Sequence, residues 1–527
     1  MASMHWLDYA IFLALLVVSL GIGVYHGCTG GRQKTTAEFL LANRNLKVIP
    51  TVISLMVSFQ SAILILGMVA EMYTFGITFW PMYVLSVTIS LVIVERLFVP
   101  WFYPLQMTSV FEYFELRFRS RAVREFASTL GIFSAIIYIA VAMYAPSVAL
   151  DYVSGLPLSV TAPIMGVVCI AYTTMGGMRA VIWTDVFQCA VMFGGLLTII
   201  IKGSIKVGGF AKIYSLANES GRIFWFPLDL DPKVHLTLWE TLFGAVPYFV
   251  ASYGVVQCSV QRYCSTSTIQ DARWTVLLII PSIFVTASIL AVVGFIVFAY
   301  NTVNGCDPLA NHEIATGNEL FPHFVRAAFA DSTGFCGLVL AILYSGALSS
   351  ISSALSAAAA NMWEDILKSR LTNITEFKAA ILNKIIVLSC GVAAVVMVFV
   401  IDRIPGPIMK VTIQVIGSIG SPLFGMFLLG GLFRKAEAKG VIAGGTLGFA
   451  ATMFVNLGSL TVSEYHQTLP PMRTDACEAP INATETMSPV SLSGISNLYA
   501  MSFMWYTTLG TGVTMVTGLV VSYVVRK

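Results

Sequence analysis

Apolar runs of about 20 or more residues recur about thirteen times along the chain, near 6–26, 48–73, 77–104, 125–153, 158–177, 181–203, 240–262, 274–300, 333–362, 380–401, 408–433, 440–459 and 499–524. Roughly 20 helical residues cross the hydrocarbon core of a bilayer, so each run predicts a membrane span. The pattern predicts an all-α polytopic membrane protein forming one unit over residues 1–527. The first run follows a segment, Met1–Tyr9, with no Lys or Arg and with Asp8, so it reads as a retained span and not a cleaved signal.

Polar residues interrupt two runs. The ninth contains Ser345-Gly-Ala-Leu-Ser-Ser-Ile-Ser-Ser-Ala-Leu-Ser356. Positions 345, 349, 352, 353 and 356 share one helical face, with Ser350 at its margin. Such a stripe at bilayer depth meets a neighbouring helix, water or an ion. The second run reads Pro50-Thr-Val-Ile-Ser-Leu-Met-Val-Ser-Phe-Gln-Ser-Ala62, with Gly67 beyond. Ser54, Ser58, Gln60 and Ser61 mark it as breakable, and a broken helix frees carbonyls that can coordinate a cation. The structural alternatives are close packing of small residues in the ninth span and interhelical hydrogen bonding by Gln60.

Charge orients the spans. Arg32, Lys34, Arg44 and Lys47 follow the first; Arg117, Arg119, Arg121 and Arg124 the third; Arg179 the fifth; Arg262 and Arg273 the seventh. Lys368, Arg370, Lys378 and Lys384, then Arg434, Lys435 and Lys439, and finally Arg526 and Lys527 continue the alternation. Loops rich in Lys and Arg face the cytoplasm, which puts the N-terminus outside and the C-terminus inside. The sequons at Asn218 and Asn482 then fall outside, as expected of glycosylated sites, and Asn373 falls inside and stays bare. Cys306 and Cys477 lie in long outer loops where a disulfide persists; Cys336 is the competing partner.

With 57% hydrophobic and 11% charged residues, the chain is far from the roughly 25% charge of soluble proteins. A net charge of +3 gives no reason to expect a nucleic-acid partner. The nine cysteines and six histidines form no metal-binding spacing, and no GxxxxGK[ST] loop is present, so uphill work must draw on an ion gradient. No nucleophile–base pair suggests an enzyme. Glu71, Glu95, Arg96, Asp151, Arg262 and Asp402 read as span-end charges, which disfavours a mid-membrane carboxylate relay. Neutral oxygens suffice for sodium. In Tyr172-Thr-Thr-Met-Gly-Gly-Met-Arg-Ala-Val-Ile-Trp-Thr-Asp-Val-Phe-Gln188, Gly176–Gly177 ends a span and Asp185 reads as the cap of the next helix near the cytoplasmic face, placed to attract a leaving cation.

The Gly176–Gln188 run, and Ser349-Ser-Ile-Ser-Ser353 followed by Trp363-Glu-Asp-Ile366, resemble signatures of the sodium/solute symporters. Phe39–Arg44, Ser58–Gly67, Glu71–Gly76, Leu105–Ser109, Glu115–Phe118, Tyr144–Ser147 and Val260–Tyr263 are similar to the sodium-coupled multivitamin and monocarboxylate branch, with the iodide transporter as a near relative. The resemblance implies a plasma-membrane symporter for Na+ and a small organic anion such as a monocarboxylate, biotin or pantothenate, with no other cofactor. Iodide-like anions, sugar or inositol, or a sodium-linked channel or sensor on the same fold, are the alternatives.

The resemblance also implies a leucine-transporter-like inverted repeat of five plus five helices, over about 48–203 and 240–433, with accessory helices at 6–26, 440–459 and 499–524. Sodium is expected at the hydroxyls of Ser349 and Ser350 and the backbone oxygens of Val57, Gln60 and Gly346. Phe59, Gln60, Tyr144, Tyr253, Gln257 and Gln414 are the expected substrate contacts. Three positions depart from the family pattern: Gly346 where alanine or serine is usual, Val256 before Gln257 where an amide is usual, and Asp151 in place of asparagine.

Overall fold

The computed structural model describes residues 4–28, 36–224, 227–371, 374–404, 406–462, 472–477 and 494–526. Asn373 and Asn482 lie outside the described residues.

Among the described residues, ten helices are long and apolar enough to cross a membrane, and two further pairs qualify when the halves on either side of a bend are taken together. The longest, Leu158–Val207, has 50 residues. At 1.5 Å per residue it would extend about 75 Å, more than twice the hydrocarbon thickness. Gly177 resolves this: its φ of 56° and ψ of −159° break the helix, giving a fifth span over 158–176 and a sixth over 178–207. The described chain thus carries the thirteen spans its hydrophobic pattern predicts.

The other spans are Trp6–Cys28 (first), Phe79–Leu105 (third), Arg121–Ser154 (fourth), Ile269–Asn304 (eighth), Phe335–Leu367 (ninth), Glu376–Ile401 (tenth), Ile408–Leu432 (eleventh), Ala438–Ser459 (twelfth) and Phe503–Arg526 (thirteenth). The second is Val48–Phe59 with Ala62–Phe75, bent by 58°; the seventh is Leu238–Gly254 with Gln257–Tyr263, bent by 54°. These bends are built into the backbone. Gln60 leaves the helix at φ −98°, ψ 56°, its N–H shared between the carbonyls of Met56 and Val57. Ser61 is extended, and its carbonyl accepts from Leu64 and Ile65 as the helix restarts. In the seventh span the β-branched pair Val255–Val256 occupies the break, both N–H groups turning back to Ala251 O.

The bent spans lie five apart, so they begin on opposite sides of the bilayer. The ninth span is the hub. It is buried without interruption from Val339 to Asn361 and packs on the first, second, fourth and fifth–sixth spans. Small residues permit these approaches: a Cβ on Gly195 of the sixth span would lie 2.5 Å from Ile342, and one on Gly337 2.3 Å from the Asp8 carbonyl.

On the side away from the basic loops, a disulfide joins Cys306 to Cys477, while Cys336 is a free thiol. Nearby, Arg222 is completely buried, its Nε donating to Tyr73 O at 3.0 Å and its guanidinium 4.2 Å from the Phe298 ring. Gly76, at φ +83°, leaves room for the Arg222 carbonyl, which accepts from Ile77 N–H. The loop after the sixth span is thereby tied to the end of the second. Asn218 is exposed in the last turn of the helix Phe210–Glu219, on the same side.

Candidate functional site

The break in the second span lies directly against the serine stripe of the ninth. A Cβ on Gly346 would lie 2.9 Å from Gln60 O and 3.2 Å from Ala62 N, so only glycine allows the backbones this close without a shift. The Ser350 hydroxyl donates to Ser58 O at 2.8 Å and to Gly346 O at 3.0 Å. Ser349 Oγ lies 3.4 Å from Ser58 Oγ, and Ser353 Oγ 2.7 Å from it. Tyr138 of the fourth span donates to Ser58 O at 3.4 Å. Gln60, Gly346, Ser349 and Ser350 therefore all lie along the contact between the break in the second span and the ninth span. Val57, fully buried one turn earlier, has its carbonyl engaged by Gln60 N–H. Ser58, Ser353 and Tyr138 belong to the cluster although the sequence reading did not select them as ligands. The serine pattern at 349, 350 and 353 was visible; which tyrosine of the fourth span faces it was not.

One turn nearer Val48 lies a second polar layer. Asp185 of the sixth span accepts from Ser54 Oγ at 2.5 Å, and Arg262 Nη2 lies 3.5 Å from the same carboxylate oxygen. Arg262 also donates to Ser54 Oγ, Ser58 Oγ and Ser353 Oγ. Both charged side chains are buried to within 1% of complete. This corrects two expectations. Asp185 does not cap a helix at the membrane face: the helix restarts at residue 178, and Asp185 sits two turns inside it. Arg262 is not an interfacial loop charge, because the 54° bend turns Gln257–Tyr263 inward against the second and ninth spans. Asp185 Oδ1 has no hydrogen-bond partner among the described residues.

On the other side of the break is a cavity of about 220 Å³, walled by the second, third, fourth, seventh, ninth, eleventh and thirteenth spans. Phe59 and Tyr253 meet in its wall with ring centroids 4.4 Å apart. Met82, Tyr83, Phe249, Met409 and Ile416 add apolar surface, and Ser61, Ser86, Ser252, Thr412 and Thr507 add hydroxyls. Among the described residues, Glu240 is the only charged one in the wall, and no Lys or Arg contributes to it.

The predicted substrate contacts fare unequally. Phe59, Tyr253 and Gln257 line the cavity. Gln257 is also a strut: Nε2 donates to Thr108 O and Oε1 accepts from Val110 N–H, each at 2.7 Å. It ties the break in the seventh span to the loop after the third. That loop is anchored in turn by Ser109 Oγ donating to Asp365 at 2.7 Å, with Arg124 2.7 Å from the same carboxyl group. Gln60 is wholly buried, with both amide atoms unpartnered among the described residues, beside Ser61 rather than in the wall itself. Tyr144 and Gln414 are not in the wall. Tyr144 is nearly two turns beyond Tyr138 and faces Asp402. Gln414's backbone carbonyl accepts from Asn456 Nδ2 of the twelfth span at 3.3 Å, and its side chain lies toward Tyr506 of the thirteenth. Six residues rotate a helix by about 600°, so Tyr138 and Tyr144 occupy different faces.

The model of the sodium:solute symporter family matches residues 39–448. The sodium-dependent multivitamin transporter of Oryctolagus cuniculus is 36% identical over 525 residues, covering 98% of this chain and 82% of that protein. The sodium/iodide cotransporter of Homo sapiens is 34% identical, covering 98% and 83%, and the sodium-coupled monocarboxylate transporter 1 of Mus musculus is 32% identical, covering 98% and 86%. Among solved structures, a Na+-coupled sialic acid symporter in a substrate-bound outward-open state superposes with a TM-score of 0.79 at 23% identity, covering 98% of both chains. The two bent spans five positions apart, the buried serine helix between them and these matches agree: this chain belongs to the sodium:solute symporter family, a family of transporters and not of enzymes.

Proposed function

We propose that this symporter carries sodium into the cell together with a small organic anion, a monocarboxylate or a vitamin such as biotin or pantothenate. The contact between Gly346 and Ser350 of the ninth span and the Gln60 and Ser58 carbonyls at the break carries the reading. Backbone oxygens freed by the bend and the hydroxyls of Ser349 and Ser350 form a neutral, oxygen-only donor set suited to sodium. Val57 completes the set in this proposal.

The cavity explains why the two solutes would move together. Its aromatic and methionine walls suit an apolar carbon skeleton, and its hydroxyls suit a carboxylate or ureido group. Among the described residues its wall supplies no cationic side chain, so an anion entering alone would be buried without compensation. Sodium at the adjacent break supplies the missing positive charge, and each ion lowers the cost of the other. Asp185, one layer nearer Val48, offers an unpaired carboxylate oxygen to the ion as it leaves toward the cytoplasm.

The repeats of this proposal run from about 48 to 203 and from about 240 to 433, the basic loops are cytoplasmic, and the protein resides in the plasma membrane. Each net positive charge moved inward gains roughly 2.3 kcal/mol per 100 mV. The test is an uptake screen in oocytes with biotin, pantothenate, lactate, short-chain fatty acids, iodide and glucose, with sodium or choline outside. Sodium-dependent, saturable uptake of one or more of the organic anions supports the proposal. Uptake confined to iodide or glucose refutes the substrate class, and currents without uptake refute symport.

A further inference from the structure

A second crevice, of about 840 Å³, opens on the outer surface of the helix bundle between the third, seventh and eleventh spans. Its wall includes Leu97, Trp101, Phe424 and Leu432, and its floor at one end includes Arg117 and Arg434. Leu97 and Leu432 are 60% and 64% exposed, so the crevice faces the surrounding bilayer and not the transport cavity. Glycine shapes it: a Cβ on Gly431 would lie 2.2 Å from the Trp101 ring, and its absence lets the indole lie flat against the eleventh span.

The basic end is preassembled. Arg117 donates from Nε to Gly430 O at 2.8 Å and from Nη2 to Phe433 O at 3.0 Å, which pins its guanidinium to the last turn of the eleventh span. Arg434 is exposed two residues beyond that helix. The acidic residues preceding Arg117 are turned elsewhere: Glu115 and Glu112 both face Arg124, at 2.8 and 3.9 Å. Among the described residues neither Arg117 nor Arg434 forms an ion pair with a carboxylate. Two guanidinium groups with no carboxylate partner among the described residues therefore sit at one end of a lipid-facing apolar slot. The third span lines this slot with Ile93, Leu97, Phe98 and Trp101, while Glu95 and Arg96 pair with each other at 3.0 Å outside it.

We infer that this crevice binds an anionic phospholipid of the cytoplasmic leaflet, its phosphate against Arg117 and Arg434 and one acyl chain along Leu97, Trp101 and Leu432. Charge complementarity at one end and a lipid-facing apolar slot beside it select that occupant over a soluble anion, for which the apolar slot has no use. The lipid would touch Val246 and Pro247, in the half of the seventh span that precedes its bend, and so contact a helix shared with the transport cavity. Assignment of the leaflet rests on the orientation proposed above; the binding itself does not.

The test places the full chain in nanodiscs of phosphatidylcholine with identical leaflets and measures association of spin-labelled phosphatidylserine and phosphatidylcholine. Neither orientation nor transport enters the readout, so this inference and the proposed function fail separately. The wild-type protein is expected to prefer phosphatidylserine, and Arg434→Gln to reduce that preference about fivefold, the effect of one interfacial charge. Leu97→Trp, which fills the slot, is expected to reduce association of the labelled serine lipid as well. Equal association of the two lipids with the wild type, or a preference unchanged in both variants, overturns the inference. So does displacement of the lipid by millimolar inorganic phosphate, which would mark a soluble-anion site.

Discussion

Gly346 and the carbonyl oxygen of Gln60 are so close that a Cβ at position 346 would lie 2.9 Å from that oxygen. The neighbouring atoms are all backbone, Ala62 N and Ser61 C among them, so they cannot rotate aside as a side chain would. Gly346→Ala must push the ninth span and the break apart by a few tenths of an ångström. The predicted result is normal surface expression with a severalfold rise in the sodium concentration that half-saturates uptake. Gly346→Val should abolish sodium-driven uptake. Unchanged sodium activation in both variants would mean that this contact is packing alone.

The Asp185–Arg262 pair predicts a different signature. Removing one member of a buried ion pair strands the other charge, at a cost of about 3–5 kcal/mol, whereas removing both is far better tolerated. Arg262→Leu should therefore lose most of its monodisperse protein in detergent, and Asp185→Asn combined with Arg262→Gln should recover a large part of it. A single variant as stable as the wild type would remove the pair from the structural core.

His235 lies in the loop before the seventh span, between Glu71 at 3.5 Å and Glu240 at 3.3 Å and against the rings of Phe75 and Phe503. Ser502 donates to Glu240 on the same cluster. Burial by itself would lower the imidazole's pKa, but the two carboxylates outweigh it and raise it to about 10. A raised pKa stabilises the fold fully below the unfolded value of about 6.5 and loses that contribution as pH rises through 10. Melting temperature should therefore fall between pH 7 and 10.5 more steeply in the wild type than in His235→Gln. Parallel profiles would show that the histidine is neutral in the folded protein.

The disulfide gives a topological test. Cys306 and Cys477 are 171 positions apart in sequence, and loss of a native cross-link costs about 2–5 kcal/mol. Cys477→Ser should lower thermal stability and expose Cys306 to a membrane-impermeant maleimide added outside intact cells. Labelling only after permeabilisation would reverse the proposed orientation.

The thirteen spans were legible because their lengths follow from bilayer thickness, and the break at residue 177 because paired glycines punctuate an otherwise continuous apolar pattern. The bend at Gln60–Ser61 was legible from polar residues where lipid-facing ones would otherwise stand. Its partner on the ninth span came from the serine spacing together with family resemblance. Asp185 and Arg262 were misplaced for one reason: in a linear reading, a charge near the end of an apolar run belongs at the interface. The 54° bend in the seventh span moves Arg262 inside, and neither residue alone signals this. Two opposite charges in separate spans were the available clue. Tyr144 and Gln414 stand outside the cavity wall, which was not legible because a sequence gives the helical period but not which face turns toward a cavity enclosed by seven spans.

The central claim is that sodium binds where the ninth span meets the break in the second. The most direct measurement is uptake of the transported anion as a function of external sodium, for wild type and Ser350→Ala at matched surface expression. Loss of one buried oxygen donor worth about 1–3 kcal/mol should raise half-maximal sodium roughly tenfold, with the substrate response at saturating sodium little changed. A sodium activation curve superimposable on the wild type would contradict the account.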